Sequence, residues 1–215
     1  MDKLYPDSEV ELNPWLARNY DGLLNIATLG IYPFFIRRTI AMMDIAKQDK
    51  ILDLGAGTGR NALLMRKYLS EEGQINALDI GPEMIEQFKD KTRQYPNMEI
   101  RNQRIDKPLE YEQEFDKVFI SFVLHGFPHQ VRQRIIENAY RALKPGGTFF
   151  ILDYNEFDLD SKPFIIRYPF KLLECPYAFD YIAKDWKEIL SKTGFQSFNE
   201  NLFLFKYVRL LGATR

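Results

Sequence analysis

The chain reads as an α/β protein, a mostly parallel sheet with helices on both faces. Three observations predict this. From Lys50 onward, short apolar runs alternate with amphipathic stretches of helical period. The first run is followed at once by a glycine cluster, Gly55, Gly57 and Gly59. Acids close the first two runs, Asp53 within "ILDLGAGTGR" and Asp79 within "ALDIGPEM". Regular alternation of strand and helix requires crossover connections, and these give parallel strands. Ligands of such open sheets sit beyond the carboxyl ends of the strands. Gly55–Gly59, Asp79, the Asp106 loop, Ser121–His125 and Asp153–Tyr154 all fall at such ends.

Each element follows in order. Apolar residues at helical spacing, interrupted by Gly30 and Pro33, predict two helices over 13–29 and 33–46. Lys50–Leu54 is a buried strand, and Arg60–Glu72 an amphipathic helix ended by Gly73. Gln74–Ile80 is the second strand; the helix after it opens with Pro82 in its first turn and runs to Gln94. Asn97–Ile105 is a charge-rich third strand and Phe115–Leu124 a clear fourth. Pro128–Leu143 is a helix stopped by Lys144-Pro145-Gly146-Gly147, with Thr148–Tyr154 as the fifth strand. An irregular aromatic stretch leads to a helix near 183–194 and two strands, 195–201 and 202–211. Those last two lie too close for a helical crossover, which predicts an antiparallel edge hairpin.

Composition narrows the function. The 215 residues suit one domain with one substantial core. Twenty-nine Lys and Arg balance thirty Asp and Glu, a net charge of −1, so no nucleic-acid partner is expected. The single cysteine, Cys175, permits no internal disulfide and no cysteine zinc site, and the two histidines show no metal-ligand pattern, so no metal is expected. The amino terminus has no hydrophobic signal core, and no apolar run approaches the ~18–20 residues that span a bilayer. The expected location is cytoplasmic; peripheral membrane contact stays open through the greasy amino-terminal helices.

The glycine loop lacks the lysine of a phosphate cradle. Its G-x-G-x-G spacing is also one residue tighter than a dinucleotide fingerprint, which argues against a nicotinamide-dependent oxidoreductase. Asp79 can accept hydrogen bonds from a ribose diol, as in dinucleotide folds. An acid before the loop, Asp53, would repel pyrophosphate and suits a cation, such as a ligand with an amino group and a sulfonium.

The segments "ILDLGAGTGR", "ALDIGPEM", "FDKVFISFVLH" and "LKPGGTFFILDY", in that order, resemble the class I S-adenosylmethionine-dependent methyltransferases. The resemblance is close over residues 45–154 and looser elsewhere. It implies a Rossmann-like seven-stranded sheet with an antiparallel last strand, and S-adenosylmethionine as cofactor. By that similarity Gly55, Ala56, Gly57 and Gly59 pass under the methionyl part and ribose. Asp53 helps hold the amino group, Asp79 binds the ribose hydroxyls, and Ile80 and Met84 pack the adenine. Ser121 and Phe122 line the floor near the methyl group. The adenine amino group falls to Asp106 or to the Ile105 backbone, since the usual acidic pair after the third strand is missing.

"NYDGLLNIATLGIYPFFIRR" further resembles the start of the ubiquinone/menaquinone C-methyltransferase branch. That likeness implies a helical lid over 1–47, with Tyr20 covering the cofactor and Arg37 or Arg38 facing the site. The cofactor-binding core would span 48–154, and 155–215 would add an acceptor roof and the edge hairpin. His125, after the fourth strand and near the expected methyl, is the candidate general base, and His129 reads as a helix-start residue; the branch's Arg-Asn pair is replaced here by Leu124-His125, a departure that bears on the acceptor chemistry. Aromatic residues crowd 154–181, and suit a small, apolar or aromatic methyl acceptor. Protein or RNA acceptors, and a non-catalytic S-adenosylmethionine-binding protein, are the alternatives.

Overall fold

A computed structural model describes Ser8 and residues 12–215. Seven strands form one sheet in the order β3-β2-β1-β4-β5-β7-β6. They are β1 Lys50–Leu54, β2 Gln74–Asp79, β3 Met98–Asn102, β4 Phe115–Ser121, β5 Leu143–Tyr154, β6 Gln196–Phe203 and β7 Val208–Thr214. The pairings among β1 to β5 are parallel, whereas β7 runs antiparallel to both β5 and β6. The expected hairpin is therefore present, with β7 inserted beside β5 and β6 left at the edge.

Alternation along the strands builds a core on each face. Leu52, Leu54, Val118, Ile120, Phe149 and Ile151 pack on the face covered by α5 (His129–Ala142), α7 (Pro176–Ile182) and α8 (Trp186–Thr193). Ile51, Ile75, Phe119 and Leu152 point to the other face. There they meet Ile36 and Ile40 of α2 (Tyr32–Ala41), Met65 of α3 (Arg60–Arg66) and Phe88 of α4 (Pro82–Thr92). Each such aliphatic side chain contributes about 1.5–3 kcal/mol when fully removed from water. Helix α1 (Pro14–Ala27) starts on Asn13, whose side chain accepts from Leu16 N at 2.9 Å.

Several boundaries differ from expectation for local reasons. Helix α3 ends at Arg66 instead of Glu72: Lys67, Tyr68 and Leu69 tighten into successive i→i−3 bonds, and Arg66 Nη1 donates to Leu69 O at 2.9 Å. Ser70 N then turns away to Lys47 O. Strand β4 stops at Ser121 because Phe122 takes φ +52° and a 3₁₀ turn, Leu124–Gly126, follows. Strand β5 begins at Leu143, so the Lys144–Gly147 stretch lies inside it as an irregularity opposite Phe115–Lys117. The aromatic stretch expected to be irregular holds two helices, α6 (Phe164–Leu173) and α7.

Arg132 of α5 ties this second half together. It is fully buried, with Tyr181 and Trp186 rings 5.2 and 5.7 Å from its guanidinium. It donates to Leu124 O at 3.2 Å, His125 O at 3.1 Å and Tyr177 O at 2.5 Å, and pairs with Asp180 at 2.8 Å. One guanidinium thus fixes the 3₁₀ turn and α7 against α5, and its loss strands three buried carbonyls. Arg132→Leu should lower stability in urea denaturation by about 3 kcal/mol. A loss well under 1 kcal/mol would mean that these carbonyls find other partners.

Candidate functional site

The carboxyl ends of β1, β2 and β4 open into a crevice of about 760 Å³. Gly55, Ala56 and Gly57 form one wall, Asp79, Ile80 and Met84 a second, and Ser121 and Phe122 the floor. Tyr20 and Leu24 of α1 and Tyr32 of α2 close it from above. Nine of the predicted residues are thereby brought together.

The loop is shaped by the acid on the neighbouring strand. Asp79 Oδ2 accepts from Gly57 N at 2.7 Å, and Oδ1 accepts from Ile80 N and Gly81 N, both at 2.8 Å. Gly55 N and Ala56 N donate to Leu78 O at 2.8 and 3.1 Å. A carboxylate offers about four lone-pair positions, so Asp79 keeps one free. Gripping both hydroxyls of a ribose diol would require one amide to let go. Gly59 is not in the crevice; it lies beneath the loop at φ +81°, where a Cβ would stand 2.7 Å from Phe88 Cδ2.

Asp53 also lies below the crevice. It is 2% exposed, and its Oδ2 is buried without a hydrogen-bond partner. Burial, with Asp79 adding to it, pushes its carboxyl up to about 7. Burial likewise raises Asp79, against the pull of its three amide donors. Two buried acids with a spare oxygen favour a cationic ligand. The cradle therefore fits a nucleoside carrying an ammonium and a sulfonium.

Ile105 and Asp106 are buried and line a smaller recess of about 60 Å³ that shares Gly55, Asp79 and Ile80 with the crevice. The Asp106 carboxylate pairs with Arg104 at 2.8 Å, and Ile105 O accepts from Asn138 Nδ2 at 2.8 Å. Both groups are thus already engaged.

His125 does not line the crevice. Its ring packs against Tyr154 at 5.1 Å, and Tyr154 against Phe122 at 6.3 Å, so one aromatic side chain separates it from the floor. Sequence reasoning saw no carboxylates near it, yet Nδ1 lies 2.7 Å from Asp153 Oδ1 and Nε2 3.5 Å from Glu174 Oε2. Burial alone would lower the imidazole; Asp153 and then Glu174 overcome that, and the net shift is upward from 6.5. Glu174 also accepts from the Tyr154 hydroxyl at 2.5 Å. His129 is the first residue of α5, and burial with Lys184 nearby lowers it. Cys175 is buried ahead of α7.

Neither Arg37 nor Arg38 lines the crevice; both are exposed on α2. Residues 155–215 contribute none of its described lining either, and Phe164 and Tyr168 stack on each other, exposed to solvent. What sequence reasoning missed is Asp21. It accepts from Thr58 Oγ1 at 2.9 and 3.0 Å, and pairs with Arg60 at 3.2 Å and Lys91 at 2.6 Å. Arg60 Nη2 returns to Asp21 O at 2.8 Å. This pins α1 to the glycine loop. The only signal for it was the Tyr-Asp pair in α1. Among the described residues no cluster of His, Cys, Asp and Glu is arranged to hold a metal ion, and no helix is long and apolar enough to cross a membrane.

Residues 51–147 match the family described as a methyltransferase domain. The ubiquinone/menaquinone biosynthesis C-methyltransferase UbiE of Methylococcus capsulatus is 28% identical over 79% of this chain and 68% of its own length. The UbiE of Haemophilus ducreyi is 30% identical over 79% of this chain and 62% of its own length. The chain therefore spans about two thirds of these relatives. A SAM dependent methyltransferase from Aquifex aeolicus superposes with a TM-score of 0.69, covering 94% of this chain and 98% of that one at 19% identity. Human N-acetylserotonin methyltransferase in complex with SAM gives 0.69 over 94% of this chain and 56% of that one at 18% identity; both likenesses concern the fold alone. Sheet order, glycine loop and sequence likeness converge: the chain is a class I S-adenosylmethionine-dependent methyltransferase, loosely similar to the UbiE enzymes.

Proposed function

We propose that this methyltransferase acts on a small, apolar or aromatic acceptor seated between Phe122 and the α1–α2 cover. The observation that carries this is the crevice's upper wall. Tyr20, Leu24 and Tyr32 make it aromatic and aliphatic above the Phe122 floor, and α1 closes it over. Pockets of this make-up bury small ligands. The UbiE relatives are named for quinone C-methylation, which agrees with a planar acceptor. A phosphate backbone finds no welcome near His125, where the flanking side chains are Asp153 and Glu174. That speaks against RNA.

The bound cofactor supplies an electrophilic methyl group on a sulfonium. The residues of this chain hold and orient. Asp53 would receive the ammonium, Asp79 the ribose through its free lone pair, and Ile80 and Met84 the adenine. Phe122, held at φ +52°, is a bulky residue in a strained region, the kind of outlier that clusters at functional sites. Tyr20 and Tyr32 would exclude water above it. His125, one aromatic side chain behind the floor, would serve as the base through an intervening water, with Asp153 fixing its Nδ1 and leaving Nε2 to accept the proton. The helical lid, 12–47 in the described chain, closes through Asp21.

Three outcomes are expected. With S-adenosylmethionine and a panel of hydroquinones, phenols, a peptide pool and transfer RNA, methyl transfer should go to the small aromatic compounds. kcat/KM should rise with pH through a value above 6.5. Asp153→Asn should move that inflection to lower pH, because the carboxylate holding the imidazolium is gone. Turnover on peptide or RNA alone would overturn the acceptor class.

The second concerns Asp53. A carboxyl near 7 is largely protonated at pH 6, and the cationic ligand binds its ionised form. Calorimetric affinity for S-adenosylmethionine should therefore weaken by about tenfold per pH unit below 7. Asp53→Asn should bind weakly with no such slope; a slope that persists would assign the proton elsewhere.

Third, two glycines of one loop should separate. Gly57, at φ +56°, has open space where a Cβ would point, whereas Gly59 has Phe88. Gly57→Ala should cost cofactor affinity with about 1–2 kcal/mol of strain, while Gly59→Ala should cost stability first. Equal melting losses in the two variants would contradict this division.

A further inference from the structure

A second cavity, of about 520 Å³, shares Asp21 and Arg60 with the crevice and is otherwise walled by Asn25 of α1, by α2, α3 and α4, and by residues that follow α3 and α4. Its charge is lopsided. Arg37, Arg60, Arg66, Lys67 and Lys91 face one acid among the described lining, Asp21. In a chain whose formal charge is −1, five cations gathered around one hollow are not a general feature of the surface.

The five are not equally available. Asp21 already pairs with Arg60 and Lys91. Arg37, Arg66 and Lys67 have no acid within ion-pair distance among the described residues. Arg66 is the most constrained of the three. Its guanidinium lies over the Tyr95 ring at 5.2 Å, and Nη1 is anchored on Leu69 O at 2.9 Å. Its Nε is buried with no hydrogen-bond partner. An unspent buried donor on a charged group is costly, and a ligand oxygen would remove that cost. A guanidinium packed over a ring and carrying a spare N–H suits a tetrahedral oxyanion. Arg37 and Lys67, both exposed, supply further positive charge at the same cavity.

We propose that this cavity binds a phosphate-bearing anion, at a site separate from the cofactor crevice. The hollow accommodates a phosphate or pyrophosphate group but not a duplex. The phosphate could be carried by a free small molecule or by a lipid headgroup. Exposed Ile26, Leu29 and Phe34 at the nearby α1–α2 turn make the second source physically reasonable.

The test uses the full chain in a phosphate-free buffer, with and without saturating S-adenosylhomocysteine so that the crevice can be filled. Inorganic pyrophosphate is titrated by calorimetry, and co-sedimentation is measured with phosphatidylglycerol and with phosphatidylcholine vesicles. The comparison is the double variant Arg37→Glu/Lys67→Glu, which changes two exposed side chains outside the crevice. Its affinity for S-adenosylhomocysteine should match the unmodified chain and report intact folding. Pyrophosphate binding that survives S-adenosylhomocysteine, falls with added chloride and drops at least about tenfold in the double variant supports the site with a free anion. Binding to phosphatidylglycerol vesicles alone, lost in the same variant and absent with phosphatidylcholine, supports it with a lipid headgroup. Should neither probe bind, should S-adenosylhomocysteine displace the pyrophosphate, or should the double variant bind as well as the original, the site is refuted. A chain that binds pyrophosphate but not S-adenosylhomocysteine would instead count against the cofactor crevice.

Discussion

The site depends on two carboxylates buried at the ends of adjacent parallel strands. The register sets Asp53 beside Ala77 and Leu54 beside Leu78, so Asp79 projects one step beyond β1 where the glycine loop begins. Asp79 accepts from three backbone amides, and one of them, Gly57 N, ties the glycine loop to the end of β2. Asp53 is not satisfied, with one oxygen buried and unpartnered. Burying an ionised acid without a partner costs several kcal/mol unless the group protonates. The chain meets that cost by letting the carboxyl rise toward neutral. On the proposed reading a ligand cation would offset that cost, and the penalty of the buried acid would become affinity for a positively charged ligand.

The same loop governs the cover above it. Thr58 stands between Gly57 and Gly59, and its hydroxyl donates to Asp21 on α1. Arg60, the next residue but one, holds both the Asp21 carboxylate and its carbonyl, and its Nη1 reaches Asn25. The loop thus meets Asp79 through Gly57 and holds α1 through Thr58 and Arg60.

Much of this was legible because it is local. The glycine spacing, the acid before it and the acid ending β2 lie within thirty residues, and each obeys strand or turn chemistry that a sequence displays. What was illegible is long-range. His125 and Asp153 are 28 residues apart and Arg132 and Asp180 are 48 apart, yet each pair touches. The strand order put Asp153 at the same sheet end as His125, but no local signal announces their contact, and Glu174, which caps α6, arrives through tertiary folding. Helices α6 and α7 escaped for another reason. Phe164–Leu173 is apolar over most of its length and carries Pro169 inside the helix, so neither a clean period nor a permitted proline position marks it. The aromatic residues there were expected to roof the acceptor; several pack in the core or face solvent, and α1 and α2 line the crevice instead.

The charge around His125 bears on what the pocket accepts. An imidazole between two carboxylates carries its proton more readily than usual, although the Arg132 guanidinium beside it opposes that pull. A sulfonium loses its positive charge as the methyl leaves, so a negative surrounding favours the ground state as well as the product side of proton removal. Catalysis then cannot come from this electrostatic set alone, since uniform stabilisation does not speed a reaction. It must come from alignment, and the parts that align are the strained Phe122, the tyrosines above it and the loop below. On the proposed reading His125 would act from one aromatic layer back, where Arg132 holds its backbone and Asp153 its ring. A proton acceptor placed there serves acceptors that must shed a proton, as carbon and phenolic nucleophiles do, and gives little advantage to amines whose proton can leave after transfer. On that reading the site would discriminate by acidity as well as by shape.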